Sequence, residues 1–159
     1  PKSCPSLTKG KFAYDFGDTG NRTPLVKMHT LGSSFMPPPT HSGGLRYHGM
    51  APMVSHLTDI GAIEAKAFGQ KECFEAGVKF ANVEGIVPAP EATHAVKGAI
   101  DEALECKKNG QKKTILFNLC GHGHFDMQAY GDYFNNKLSD DSYNAAAVNK
   151  ALEKLPKIA

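Results

Sequence analysis

The stretch Thr114-Ile115-Leu116-Phe117-Asn118-Leu119-Cys120-Gly121-His122-Gly123-His124 joins a short run of β-forming apolar residues directly to a glycine- and histidine-rich loop. A strand apolar at nearly every position, not at alternate ones, belongs inside a parallel sheet covered on both faces. Residues 114–119 are therefore expected to be a buried strand, and the loop at its carboxyl end is where open α/β sheets place ligands. Immediately before it, Asn109-Gly110 supplies a helix stop. Residues 93–108 carry Ala95, Val96, Ala99, Ile100, Ala103 and Leu104 at intervals of three and four, the period of a helix with one buried face. Helix, short connection, strand and glycine loop together predict an α/β domain, with helices around a short parallel sheet.

Working outward, residues 70–84 read as another helix, with Cys73, Phe74, Gly77, Val78 and Phe80 on its apolar side and Gly85-Ile86-Val87-Pro88-Ala89-Pro90 breaking it. Met53, Val54, Leu57, Ile60 and Ile63 predict a helix that Gly61 can stop, before a short strand at 65–68. Downstream, helices are expected at 126–136 and 142–155. The amino-terminal half is punctuated by Phe16-Gly17-Asp18-Thr19-Gly20-Asn21, Pro37-Pro38-Pro39 and Ser42-Gly43-Gly44, and is expected to be loop-rich. Leu25-Val26-Lys27-Met28 is too brief to define an element. The expected division is a loop-rich segment at 1–50, an α/β core at 51–136 and a helical tail at 137–159.

Length and composition narrow the function. The 159 residues suffice for one core, and 41% hydrophobic with 21% charged residues is the composition of a folded chain. Eighteen Lys and Arg against 16 Asp and Glu leave a net charge of +2, too small and dispersed for a nucleic-acid-binding stripe. No apolar run reaches the roughly 20 residues of a membrane span, and the opening Pro1-Lys2-Ser3-Cys4-Pro5 lacks the apolar centre of a secretion signal. The missing initiator Met points to processing or to a piece of a longer chain. Cys4, Cys73, Cys106 and Cys120 form no C-x-x-C pair, so reduced thiols are expected, favouring the cytoplasm or an organelle stroma or matrix, plastids included, over secretion.

Three stretches carry chemistry. In Gly121-His122-Gly123-His124-Phe125-Asp126 the alternating imidazoles and carboxylate could bind a metal and activate water, as in a metal-dependent hydrolase using His122, His124 and Asp126. Met127 stands where the H-x-H-x-D-H pattern has its third histidine. Backbone-satisfying histidines in a tight loop explain the same residues, and spacing leaves both readings open. In Pro88-Ala89-Pro90-Glu91-Ala92-Thr93-His94 the Glu91 carboxylate precedes a helix, where it can cap that helix or face a ligand. Ser42-Gly43-Gly44-Leu45-Arg46-Tyr47-His48-Gly49 offers either a tight turn or a close backbone approach to a flat ligand.

These stretches, in order and with Tyr14-Asp15-Phe16-Gly17-Asp18, Pro37-Pro38-Pro39 and Glu84-Gly85-Ile86-Val87 between them, resemble the carboxyl-terminal part of the second, divergent class of tryptophan synthase β chains up to about Phe134. The resemblance implies a partial fold-type-II pyridoxal-phosphate enzyme, a lyase condensing indole with L-serine to give tryptophan. It implies cofactor-side roles for Glu91, Gly44, Cys120, Gly121 and His122. Cys120 falls where the family has a hydroxyl residue at the pyridine nitrogen, and Arg46 where the first class has an aspartate. A neutral donor at that nitrogen limits electron withdrawal and favours replacement at the β carbon, and a thiol is the weaker donor. His122, His124 and Asp126 then become loop architecture, leaving no metal. The sequence has neither the His-Lys pair of the Schiff-base lysine nor the Gly-Gly-Gly-Ser-Asn phosphate loop, so no catalytic lysine is expected on this chain. The expected context is a companion chain carrying the catalytic amino-terminal part, with homodimers possible when the enzyme is complete. The alternative is a truncated, non-catalytic relative serving as a structural or interaction subunit of a larger assembly.

Overall fold

In a computed structural model the described residues are 5–140 and 143–157. Cys4 and Ser142, the first residue of the expected final helix, lie outside them. The elements in chain order are helix α1 (Ser6–Lys9), strands β1 (Lys11–Phe16) and β2 (Leu25–Thr30), a 3-10 turn at Gly43–Leu45, and helices α2 (Pro52–Asp59), α3 (Gln70–Glu84), α4 (Ala92–Lys108), α5 (Met127–Phe134) and α6 (Ala145–Leu152). They divide between two compact units: one comprises Thr40–Leu45 and Phe68–Asp140, the other the described residues of Lys2–Pro39, Arg46–Ala67 and Asp141–Ala159.

The second unit is organised by β1 and β2, antiparallel from Lys11 opposite Thr30 to Phe16 opposite Leu25. The Asp18 carboxylate closes the connection between them by accepting from the Arg22 and Thr23 amides and the Thr23 hydroxyl, and those bonds lower its pKa, the Thr23 amide first. Asp15 is fully buried and accepts from the Thr30 hydroxyl at 2.7 Å. The Ser55 hydroxyl of α2 accepts from the His29 amide at 3.0 Å. Leu31 and Phe35 pack with Val148 and Ala151 of α6, each large side chain contributing about 1.5–3 kcal/mol by burial. Gly32, at φ 94°, turns the chain there, and a Cβ on it would stand 2.7 Å from the Ala151 Cβ.

The first unit is helical. α3 begins where the Glu72 carboxylate accepts from the Gly69 amide and ends at Gly85, in the left-handed conformation at φ 71° that suits glycine. Its Phe74 packs with Ala129, Tyr130 and Leu138, meeting the Tyr130 ring edge-on at 5.0 Å and stacking on Tyr133 at 5.9 Å. α4 ends at Lys108, with Asn109 as its cap and Gly110 just beyond at φ 66°, the expected stop.

The expected parallel sheet is corrected: among the described residues the sheet is the two-stranded antiparallel β1–β2 pair. Residues 114–119 form no strand, and neither do 65–68. The physical reason is that a ladder needs a second backbone alongside, and none of the described residues offers one to 114–119. Phe117 meets Phe80 of α3 edge-on at 5.8 Å, while Leu116 is 94% exposed. The segment thus has one apolar side against a helix and another open. The amino-terminal half, expected to be loop-rich, holds β1 and β2. None of the helices in the described residues is long and apolar enough to cross a membrane.

Candidate functional site

The site lies in the helical unit, where three backbone segments are laced together. The first is Thr40–Leu45, pinned at both ends: the His41 amide donates to Gln70 Oε1 at 3.0 Å, and the Gly44 amide donates to Glu91 Oε1, also at 3.0 Å. Gln70 also donates to the Ser139 carbonyl at 2.9 Å, so the anchor for His41 is itself held.

The second and third segments are residues 87–91 and the loop 120–126. The Ala89 amide donates to the Gly121 carbonyl at 2.8 Å, and the Gly123 amide donates to the Val87 carbonyl at 2.7 Å, forming an isolated antiparallel bridge between Pro88 and His122. This close approach requires glycine at 123: a Cβ there would stand 2.6 Å from the Pro88 carbonyl oxygen and 2.8 Å from Val87 Cγ1. The Pro88 carbonyl also accepts from the Tyr130 hydroxyl at 2.6 Å, and burial pushes that phenol up to about 12. α3, α4 and α5 converge on this bond, because Gly77 leaves only enough room for Thr93 and Tyr130.

Glu91 occupies the cap position of α4, yet its side chain accepts nothing from that helix. Ordinary capping is therefore set aside: the carboxylate spans 47 residues of sequence to hold Gly44. Cys120 is a free, exposed thiol. The His122 and His124 rings lie 4.9 Å apart, and His122 Nδ1 accepts from the His124 amide at 3.3 Å, so the imidazole serves the loop's own backbone. The Asp126 amide donates to Gly123. Among the described residues no group of three or more His, Cys, Asp or Glu is gathered to hold a metal. Arg46, in the other unit, donates to the Pro38 carbonyl at 2.9 Å.

Thr93, His94 and Tyr130, which the sequence did not single out, hold the Pro88 and Pro90 carbonyls. No local signal in the sequence marks these bonds, because the donors reach the Pro88 and Pro90 carbonyls from α4 and α5 only once the helices have formed and packed. Gly44 and Cys120 are both exposed, and Gly44 lies against the Glu91 carboxylate that its amide holds.

No family model matches the chain. Against individual proteins it is 59% identical over 140 residues to tryptophan synthase beta chain 2 of Aquifex aeolicus, covering 88% of this chain and 32% of that one. It is 60% identical over 138 residues to tryptophan synthase beta chain 2 of Methanosarcina mazei, covering 87% and 31%. With the tryptophan synthase beta chain of Thermosipho africanus it shares 58% over 130 residues, covering 82% and 31%. Such relatives place it in the fold-type-II pyridoxal-phosphate class. The chain belongs to the tryptophan synthase beta-chain family, and it spans about a third of the length of the curated relatives it matches.

Proposed function

We propose that the chain provides one wall of the cofactor site of a tryptophan synthase β-type enzyme, corresponding to the family's carboxyl-terminal part, and that a companion polypeptide provides the other wall with the Schiff-base lysine and phosphate loop. The observation that carries this is the Gly44–Glu91 hydrogen bond, which joins two residues that the family resemblance independently assigns to the cofactor side. Gly44, Glu91, Cys120, Gly121 and His122 would hold pyridoxal phosphate. When bound, that group supplies the electron withdrawal needed to replace the β substituent of L-serine with indole.

The chain's own residues orient and tune. Glu91 fixes the Gly44 backbone, the Val87–Gly123 and Ala89–Gly121 bonds set the height of the glycine loop, and the exposed Cys120 thiol offers a weak, neutral donor to the ring nitrogen. The open apolar side of 114–119, where Leu116 is exposed, supports a companion segment there, because an exposed run of β-forming apolar residues is a surface that pairs with another chain.

The reading is tested with Cys120→Ser in the chain assembled with its companion and loaded with the cofactor. A stronger hydroxyl donor should shift the cofactor's visible absorbance band and change turnover, whereas an unchanged spectrum and unchanged turnover would remove Cys120 from the ring.

A further inference from the structure

The first turn of α4 leaves one carbonyl to side chains. The Thr93 amide donates to Ala89 at 3.0 Å, but the His94 amide goes to Glu91 at 3.2 Å, so the helical bond that would reach Pro90 is not made. The Pro90 carbonyl instead accepts two side-chain donors: the Thr93 hydroxyl at 2.6 Å and His94 Nδ1 at 3.0 Å. Thr93 and Pro90 are fully buried, so the arrangement is sheltered from competing water. A carbonyl oxygen only accepts, which fixes the proton on Nδ1. His94 Nε2 is buried with no partner in the structure, and burial lowers the imidazole's pKa, in keeping with a neutral ring.

The clamped carbonyl belongs to the Pro90–Glu91 peptide. Fixing that plane fixes the φ of Glu91, and with it the direction from which its carboxylate reaches the Gly44 amide. We infer that Thr93 and His94 are positioning residues that aim Glu91 at Gly44 through the Pro90 carbonyl. The inference deepens the cofactor-side role proposed for Glu91 and takes its functional meaning from that reading; the clamp itself can be measured on the chain without cofactor, so the two can fail separately.

The test is nuclear magnetic resonance on the isotope-labelled 159-residue chain, reading the ring tautomer of His94 and the shift and deuterium exchange of the Gly44 amide. Glu91→Ala sets the size of the full loss. Thr93→Val and His94→Gln should each speed Gly44 exchange by roughly fivefold, the equivalent of one ordinary hydrogen bond. Thr93→Ser and His94→Asn, which keep the hydroxyl and a nitrogen donor near the Nδ1 position, should restore it. Amides from Val96 to Leu104 should stay in place throughout, a behaviour that general loosening of α4 would not give. Equal effects in the conservative and non-conservative variants would overturn the clamp, as would a Gly44 amide that responds to Glu91→Ala alone. An Nε2-protonated His94 in the unsubstituted chain would overturn it without any variant.

Discussion

A methyl group on Gly77 would lie 2.6 Å from Thr93 Cγ2 and 2.9 Å from Tyr130 Oη. Alanine improves helix propensity by about 1 kcal/mol at an interior position, while forcing an extra methyl into a filled contact costs roughly 1–3 kcal/mol. Gly77→Ala is therefore expected to destabilise the chain by up to about 2 kcal/mol, seen as a lower urea midpoint, because the same methyl displaces the two groups that hold Pro88 and Pro90. His94 gives a pH signature. Its folded pKa is lowered from 6.5 by burial, so below that value the unfolded chain binds a proton more readily than the folded one. Its contribution is intact above pH about 6.5 and is lost as pH falls towards the depressed folded value. His94→Asn should flatten this part of the stability profile between pH 7 and 5, measured by denaturant titration at each pH; equal acid sensitivity in both chains would remove His94 as a source. At this scale the sequence revealed residue types more readily than partners. Glu91 was legible as a carboxylate before a helix, but its choice of Gly44 over its own helix depends on how residues 40–45 return to α4. The double donation to Pro90 depends on which amide the first turn spends elsewhere.

Helices were legible where a clear period met a clear stop. α3 spans Gln70–Glu84, as its apolar spacing and Gly85 indicate, and α4 begins within one residue of the reading and ends at Asn109-Gly110. Strands were not. β1 and β2 pair across Gly17 to Pro24, and the alternation of Phe12, Tyr14 and Phe16 was the available signal, obscured by the glycines beside it. Residues 114–119 have strand composition without strand pairing, since composition sets the preference for a ladder and a neighbouring backbone is needed to form it. Leu116, 94% exposed, separates these two requirements. Leu116→Lys should change the stability of the chain alone by less than about 0.5 kcal/mol, as surface substitutions do. In co-purification with the companion it should reduce recovery of the complex. A large loss of stability in the chain alone, or undiminished assembly, would show that this side of the segment is not a docking surface.

At the scale of the whole molecule, 159 residues and a net charge of +2 describe a chain able to bury its own cores, and each unit has one. The relatives are about three times as long as the part matched. Length was legible as enough for folding. That it spans about a third of its relatives' length came from the comparison with them. The most direct measurement is reconstitution: the chain is co-expressed with the part of the Aquifex aeolicus relative that it does not match. The purified assembly is then assayed for bound pyridoxal phosphate and for tryptophan formed from indole and L-serine. The expected result is a two-chain complex that carries the cofactor and makes tryptophan, with Glu91→Ala weakening cofactor retention. A folded two-chain complex that neither holds the cofactor nor forms tryptophan would contradict the proposed role of this chain as a wall of the site.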